Sequence, residues 1–169
     1  MKIIEAMKQA KDLEKKSADL RAKIGQYCAD LSIENPVYEN QREQVRGWLQ
    51  AHEDITRQIA RLKTSITKTN LATVVTIQLG GKSVAKCIYE WIQRRQKLAD
   101  LDRQAWAALT DRNLKEQNVS SNGANVTPVT VRRYFDPLER DAKSEIYRSE
   151  PAAIDGALEV INATTELLD

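Results

Sequence analysis

The sequence is poor in the residues that build metal sites and disulfide frameworks, with one histidine and two cysteines among 169 residues. Cys28 and Cys87 have no CxxC partner, and His52 with these two cysteines offers no ligand spacing for zinc, which needs three or four ligands. We therefore expect no disulfide, no metal and no cofactor, and we expect the protein to reside in a reducing compartment.

Long apolar runs are also missing. No stretch approaches the roughly 20 apolar residues that a membrane span needs, and the start of the chain, Met1-Lys2-Ile3-Ile4-Glu5-Ala6, lacks the continuous apolar region of a signal peptide. Aromatic residues make up 5% of the chain and charged residues 30%, which is typical of a helical bundle with much solvated surface. The sequence predicts a protein made in the cytoplasm without a membrane span.

No set of residues has the spacing of a catalytic centre. His52 lies on the apolar stripe of a predicted helix, where we expect it to pack or to set the helix register. Gly80-Gly81-Lys82-Ser83 resembles the end of a phosphate loop, but the Walker pattern needs glycine five residues before Gly81, and that residue is Thr76. We predict a tight turn that leads into a helix N-cap at Ser83, and no enzymatic activity.

The sequence does contain two runs of mostly apolar residues spaced alternately three and four apart. This spacing keeps one stripe of a long helix against a partner helix, as in a coiled coil. The members of the two stripes are Ile3, Met7, Ala10, Leu13, Ser17, Leu20, Ile24, Tyr27 and Leu31, then Val45, Trp48, His52, Ile55, Ile59, Leu62, Ile66 and Thr69. A short connection between such helices favours an antiparallel hairpin.

We predict one mainly α-helical domain over residues 1–169, a long antiparallel helical hairpin or bundle of coiled-coil type with two short extended β-like arms. Asn35-Pro36 and Asp136-Pro137 each combine a capping residue with proline at the first helical position. Ser120 to Asn125 is typical of a loop, and Ser149-Glu150-Pro151 predicts a break or kink. The predicted helices cover about 3–31, 36–70, 83–118, 137–148 and 152–167, and the arms about 73–79 and 129–135.

Charge is distributed unevenly, although the net charge is only +2. Between Ile55 and Tyr89 there is no acid and there are six basic residues, which we name the basic tip: Arg57, Arg61, Lys63, Lys68, Lys82 and Lys86. The end of the chain has no base and five acids: Glu150, Asp155, Glu159, Glu166 and Asp169. This asymmetry suits contact between subunits or docking on an anionic surface, and two solvated faces explain it equally.

The extended arms are the candidate interfaces. Arg132-Arg133-Tyr134-Phe135 mixes bases with aromatics, which suits nucleic acid, and a strand edge accounts for it as well. Trp48, Trp91 and Trp106 fall on predicted helices, where we expect packing or interface anchors, and Asp102 is the one acid whose position indicates burial. The predicted interface residues are Val75 and Ile77 in the first arm, and Val129, Val131, Arg133 and Phe135 in the second.

Several segments together resemble the septicolysin-like family of small, mostly uncharacterised bacterial and phage helical proteins. They are Ile66-Thr67-Lys68-Thr69-Asn70, Gly81-Lys82-Ser83-Val84, Arg94-Arg95, Ile154-Asp155, Leu158-Glu159 and Ile161-Asn162-Ala163-Thr164-Thr165-Glu166-Leu167. The chain departs from the family at Ala163, where an aromatic residue is expected, and at Ser149-Glu150-Pro151. The resemblance implies an all-helical hairpin-type fold that self-associates.

We therefore expect a non-enzymatic structural or assembly protein that forms a homo-oligomer. Its most specific form is a bacteriophage virion component, a capsid-decorating or tail-associated subunit that contacts other virion proteins. One alternative is a helical module that binds nucleic acid or another polyanion through the basic tip. A second alternative is a septicolysin-like membrane-active protein, although the chain lacks both a signal peptide and an apolar segment suited to insertion.

Overall fold

A computed structural model describes residues 1–121 and 125–168, with side chains described outside 119–127. The predicted loop from Ser120 to Asn125 therefore lies in part outside the described residues, as does Asp169. The fold is mainly α-helical with two short antiparallel strand pairs, and its two longest helices pack against each other. The predicted fold class is confirmed.

The helices and strands are numbered in chain order. The helices are α1 (Ile3–Tyr27), α2 (Gln41–Ala72), α3 (Ile88–Gln93), α4 (Ala99–Ala107) and α5 (Pro137–Thr164), with a π-helical turn (Arg94–Leu98) between α3 and α4. The strands are β1 (Val74–Leu79), β2 (Lys82–Cys87), β3 (Gln117–Ser121) and β4 (Asn125–Val129). None of the helices in the described ranges is both long enough and apolar enough to cross a membrane.

The chain divides into two compact units. Unit 1 contains Met1–Val74, Cys87–Tyr89 and the chain from Leu158 onward, so that α1 and α2 form most of it. Unit 2 contains Val75–Lys86 and Glu90–Ala157, and therefore holds both strand pairs and most of α5.

In unit 1, α1 and α2 form the predicted antiparallel hairpin, because residues later in α1 contact residues earlier in α2. Glu14 forms an ion pair with Lys63 at 2.7 Å, and the Ser17 hydroxyl lies 3.0 Å from Nε2 of His52. Two polar members of the predicted stripes thus meet each other across the seam. Apart from Met7 and Leu31, which are exposed, every member of both stripes is buried or half-buried.

The connection between the two helices is longer than the sequence predicts. Helix α1 ends at Tyr27 instead of Leu31, and α2 begins at Gln41 instead of Pro36. The Asn40 side chain accepts a hydrogen bond from the backbone N–H of Glu43 and caps α2. Gln41 Nε2 also donates to the carbonyl of Tyr27 at 2.9 Å. Asn40 with Glu43 thus supplies the N-cap in place of Asn35-Pro36.

The core of unit 1 lies at one end of the hairpin, which we name the packed end. There the start of α1, the end of α2, Ile88 and the end of α5 come together, and Ile3, Ile88 and Leu158 are at most 2% exposed. The backbone N–H of Leu168 donates to Oγ1 of buried Thr69 at 2.9 Å. Four chain segments therefore enclose this core.

In unit 2, β1 and β2 form a hairpin where the sequence predicts an arm followed by a helix from residue 83. Gly80 and Gly81 form the predicted tight turn, with φ of 54° and 77°. Positive φ at both central residues matches the strand twist of a two-residue hairpin. The turn consequently leads into a second strand, Ser83 lies within it instead of capping a helix, and helical structure begins only at Ile88.

The predicted third helix and second arm also have other bounds. Helical structure ends at Ala107 instead of 118, and the second strand pair joins Gln117–Ser121 to Asn125–Val129. The predicted arm over 129–135 is therefore wrong apart from its first residue. Residues 130–135 have no partner strand in the described part of the chain, and Arg133 is held by two hydrogen bonds to Asp111 at 2.7 and 2.6 Å.

Helix α5 runs through the predicted break at Ser149-Glu150-Pro151. Proline removes one helical hydrogen bond, but side chains on both sides of Pro151 are anchored. Glu150 is ion-paired with Arg94, Asp155 with Arg95, and Ile154 is fully buried. These tertiary contacts outweigh the local cost of the proline, so residues 137–148 and 152–164 belong to one helix.

Candidate functional site

Three elements of unit 2 surround a cavity of about 380 Å³. The β1–β2 hairpin forms one wall, the helical segment from α3 to α4 a second, and α5 a third. Pockets of a few hundred Å³ are the usual size of small-molecule sites. The cavity is therefore the candidate site of unit 2.

One face of β2 is turned toward the cavity. Side chains alternate along a strand, and Lys82, Val84 and Lys86 all line the cavity. Lys82 and Lys86 lie about 13 Å apart along the strand, from four steps of roughly 3.3 Å. Neither ammonium group has an ion-pair partner among the described residues, so both cations are available to a ligand.

Helix α5 lines the cavity with residues spaced three and four positions apart, a spacing that places them on one side of the helix. This face carries Lys143, Ile146, Tyr147 and Glu150. Gly80, in the β1–β2 turn, packs close to this helix: a Cβ built on Gly80 would lie 3.5 Å from Cγ2 of Ile146. The turn thus needs glycine for its positive φ, and a Cβ at Gly80 would make an ordinary van der Waals contact with Ile146.

Arg94 is the central polar residue of the site. Its Nε donates to Glu150 at 2.8 Å and its Nη1 to Asp102 at 2.5 Å, while its guanidinium lies 5.4 Å from the centre of the Tyr147 ring. Burial alone would lower the pKa of Arg94, but the hydrogen bonds to Glu150 and Asp102 raise it above its ordinary value. Arg94 therefore remains charged, and its charge is matched by two carboxylates.

The π-helical turn explains how Arg94 reaches Asp102. The turn is marked by a hydrogen bond from the N–H of Ala99 to the carbonyl of Arg94, five residues earlier. In an uninterrupted α-helix, eight residues rotate by about 80° more than two full turns. Because a π-helical turn holds one residue more than an α-helical turn, Arg94 and Asp102 come to nearly the same face.

Trp91 closes the apolar side of the site. It is fully buried and its Nε1 donates to the carbonyl of Val75 at 3.1 Å, so its polar atom is satisfied. The apolar wall that is open to the cavity is formed by the half-buried side chains of Leu79, Val84 and Ile146. The cavity therefore combines an apolar wall with cationic groups.

The predicted basic tip is divided between the two units. Arg57, Arg61, Lys63 and Lys68 lie on α2, whereas Lys82 and Lys86 line the cavity. Arg57 forms ion pairs with Glu53 at 2.5 Å and Asp54 at 3.3 Å, and Lys63 is paired with Glu14. The hydrogen bond from Arg57 to Glu53 raises the pKa of Arg57. Arg57 and Lys63 are thus already matched by acids.

The predicted interface residues have different surroundings in unit 2. Ile77 is 5% exposed and belongs to the core, while the carbonyl of half-buried Val75 accepts the Trp91 hydrogen bond. Val129 ends β4 and is exposed. Val131, Arg133 and Phe135 border a smaller cavity of about 260 Å³ with residues 109–112 and 114. Arg140 lies 5.6 Å from the Phe135 ring centre.

Three of the five acids near the end of the chain find partners within their own units. Glu150 and Asp155 pair with Arg94 and Arg95 in unit 2. In unit 1, Glu166 pairs with Lys2 and with the amino group of Met1. Among the described residues, no group of three or more His, Cys, Asp or Glu side chains could hold a metal ion.

Sequence reasoning missed four residues of the cavity: Arg94, Lys143, Tyr147 and Glu150. It singled out Asp102 as the acid to be buried, whereas Glu150 is the buried one at 7% exposure. One local signal was available, because Lys143, Tyr147 and Glu150 share a helical face once α5 is taken to continue through Pro151. The Arg94–Glu150 pair joins residues 56 positions apart and has no local signature.

No protein-family model matches the chain, and no curated protein matches it. A solved structure is similar to it, described as the crystal structure of a functionally unknown conserved protein from Corynebacterium diphtheriae. The two chains superpose with a TM-score of 0.58 over 99% of each, at 18% sequence identity. At this identity the likeness shows a shared fold and carries no function.

Proposed function

We propose that this protein is a non-catalytic assembly subunit that self-associates through its helical hairpin. The observation that carries the proposal is the hairpin from residue 14 to residue 68, in which no residue is buried although both helices have an apolar stripe. Two helices alone cannot enclose such a stripe, whereas four helices can. Pairing of two hairpins, one from each of two copies, would complete a four-helix bundle.

Exposed apolar side chains beside the seam support the same proposal. Leu49 on α2 is 53% exposed next to the seam residue Trp48, and the connection between the helices exposes Leu31, Ile33 and Val37. Tyr27, Tyr38 and Trp48 form a cluster with ring centres 5.5 to 5.7 Å apart. Aromatic and aliphatic groups of this kind are the usual anchors of protein interfaces.

The most specific form of this proposal is a component of a bacteriophage particle, either a capsid-decorating or a tail-associated subunit. Its support is the resemblance to septicolysin-like proteins, which include phage-encoded members. Particles purified from a phage that encodes this protein should then contain it in a fixed ratio to the other virion proteins. A chain that stays in the supernatant when the particles are sedimented would exclude this specific form.

Self-association is tested by light scattering on the purified chain over a wide range of concentration and salt. We expect a discrete multimer, and Leu49→Lys should reduce it to the monomer because it places a charge beside the seam. Gln58→Lys is the matched control, since Gln58 is exposed on the same helix about 180° from Leu49, on the flank of the seam that borders α1. A monomeric wild type, or equal behaviour of the two variants, would contradict the proposal.

A further inference from the structure

The charges around the cavity of unit 2 do not balance. Four cations line it, Lys82, Lys86, Lys143 and Arg94, against the two acids Asp102 and Glu150. Both carboxylates are bound to Arg94. The three lysines have no ion-pair partner in the described part of the chain, so the excess positive charge of the cavity resides on them.

The shape of the cavity separates these cations from an apolar wall. Lys82 begins β2 and Lys86 lies one residue before its end, with Val84 between them on the same face. Lys143 belongs to α5. The apolar contact is provided by three half-buried side chains, Leu79, Val84 and Ile146. Water or a simple inorganic anion would satisfy the lysines but not the apolar wall, whereas a ligand with both characters would satisfy both.

We propose that this cavity is a binding site for a small organic anion, a phosphate monoester or a carboxylate whose apolar or aromatic body packs against Val84 and Ile146. The anionic group binds Lys143 together with Lys82 or Lys86. The distance between Lys82 and Lys86 of about 13 Å along the strand also allows a ligand with an anionic group at each end. The site is independent of self-association, because none of its residues lies in the hairpin of unit 1.

Arg94 acts as a positioning residue in this site. Its guanidinium is bound to Glu150 and Asp102 and lies on Tyr147, so it holds α5 and the helical segment at the spacing that defines the cavity. A buried ion pair of this kind is costly to break, because removal of one partner leaves a buried charge. The test of ligand binding therefore uses the lysines and leaves Arg94 intact.

The experiment is titration calorimetry of the full chain with naphthyl phosphate, supported by the change in tryptophan fluorescence. Naphthol and inorganic phosphate test the apolar body and the anionic group separately, and a long-chain dicarboxylate distinguishes a carboxylate ligand from a phosphate one. We expect saturable binding of naphthyl phosphate or of the dicarboxylate, and much weaker binding of naphthol and of inorganic phosphate.

The decisive variant is Lys86→Gln combined with Lys143→Gln, which removes two cations from the cavity without removing buried volume. We expect the affinity to fall by about tenfold or more, which is the effect of losing a charge-assisted hydrogen bond. Lys97→Gln is the control, because Lys97 is exposed in unit 2 and does not line the cavity. The proposal would be overturned if neither organic anion showed saturable binding, or if naphthol bound as tightly as naphthyl phosphate. It would also be overturned if Lys97→Gln lost as much affinity as the double variant.

Discussion

The two ends of the unit 1 hairpin have the same sequence pattern and different degrees of burial. At the packed end, Ile3, Ala6, Ala10 and Leu13 of α1 are buried, and Thr69 and Asn70 of α2 are buried with them. The rest of the hairpin, residues 14–68, which we name the open end, has no buried residue. Additional segments of unit 1 cover the packed end, whereas the open end, among the described residues of unit 1, consists of its two helices and their connection.

An apolar stripe is often taken to predict both the direction in which a helix face points and the depth to which it is buried. Spacing by three and four residues determines which face of a helix points toward a neighbour. The depth of burial depends on how many neighbours surround that face, and sequence spacing does not contain that number. We therefore expect the two ends to differ in packing energy as well as in burial.

The largest expected effect is the contrast between Leu158→Ala at the packed end and Leu20→Ala at the open end. Leu158 is 2% exposed, so its truncation should cost about 3 kcal/mol, within the range for fully buried leucines. Leu20 is half-buried, so Leu20→Ala should lower the free energy of unfolding by about 1 kcal/mol, because Leu20 removes a smaller apolar area from water. Urea unfolding of both variants measures the two losses.

Protein concentration sharpens this contrast. If two hairpins pair, Leu20 is more deeply buried in the assembly, and the cost of Leu20→Ala should rise with protein concentration because association stabilises the folded state. The cost of Leu158→Ala should not change. Equal losses at the two positions at low concentration would show that the two ends do not differ in packing energy.

The next effect is a gain of stability from Gly47→Ala at the open end. Gly47 lies within α2, and a Cβ added there would meet no atom within 4 Å. Alanine should therefore raise the free energy of unfolding by about 1 kcal/mol through its better helix propensity. The control is Gly81→Ala, which should destabilise the protein because the φ of Gly81 is 77°. A loss of stability in Gly47→Ala would indicate a contact at the open end that the hairpin alone does not make.

A smaller effect is expected from the contact between Ser17 and His52. The two side chains are half-buried, so the Ser17→Ala variant should lose about 0.5 to 1 kcal/mol, the usual net value of a hydrogen bond. The same substitution in a His52→Ala background should cost less, and the difference measures the coupling between the two residues. Identical costs in both backgrounds would show that this contact contributes nothing to the seam.

The smallest effect concerns Glu166 at the packed end. Hydrogen bonds from Lys2 and from the amino group of Met1 lower the pKa of Glu166 below 4.5. A carboxyl group whose pKa is lowered in the folded state adds stability above its unfolded pKa, and this contribution is lost as pH falls through the folded pKa. The carboxylate is exposed, so screening keeps the effect small.

Thermal unfolding of wild type and Glu166→Gln tests the Glu166 prediction. The wild type should have the higher Tm at neutral pH, and the difference should shrink as pH falls below 4.5. Glu159→Gln is a suitable control, because Glu159 is an exposed acid of the same helical end. A difference in Tm that stays constant down to acidic pH would contradict an electrostatic origin.

Much of the hairpin could be predicted because its signals are local. The two stripes depend on spacing within one helix, and the Gly80-Gly81 turn depends on two adjacent residues. The sequence also contained the signal for the β1–β2 hairpin, since two glycines between extended runs are typical of a two-residue turn. We expected a helix after the turn because Val84, Ile88 and Trp91 also fit helical spacing.

The parts that could not be predicted depend on contacts between distant residues. Pro151 predicts a break on local grounds, and the helix continues because Arg94, Arg95 and the core hold both sides of it. The cavity likewise needs β2, the π-helical turn and α5 to be brought together, and the Lys82, Lys143 and Glu150 side chains carry no joint pattern in the sequence. In general, the direction of each helix face was predictable and the identity of its neighbours was not.

The π-helical turn makes this segment sensitive to chain length as well as to residue identity. It behaves as a one-residue insertion that the helix absorbs without a loop, so deletion of an exposed residue such as Gln96 would restore a regular α-helix. Such a deletion would rotate everything that follows by about 100° and would turn Asp102 away from Arg94. Related proteins that lack this residue should therefore have lost the acid at the position of Asp102, whereas those that keep it should retain both partners.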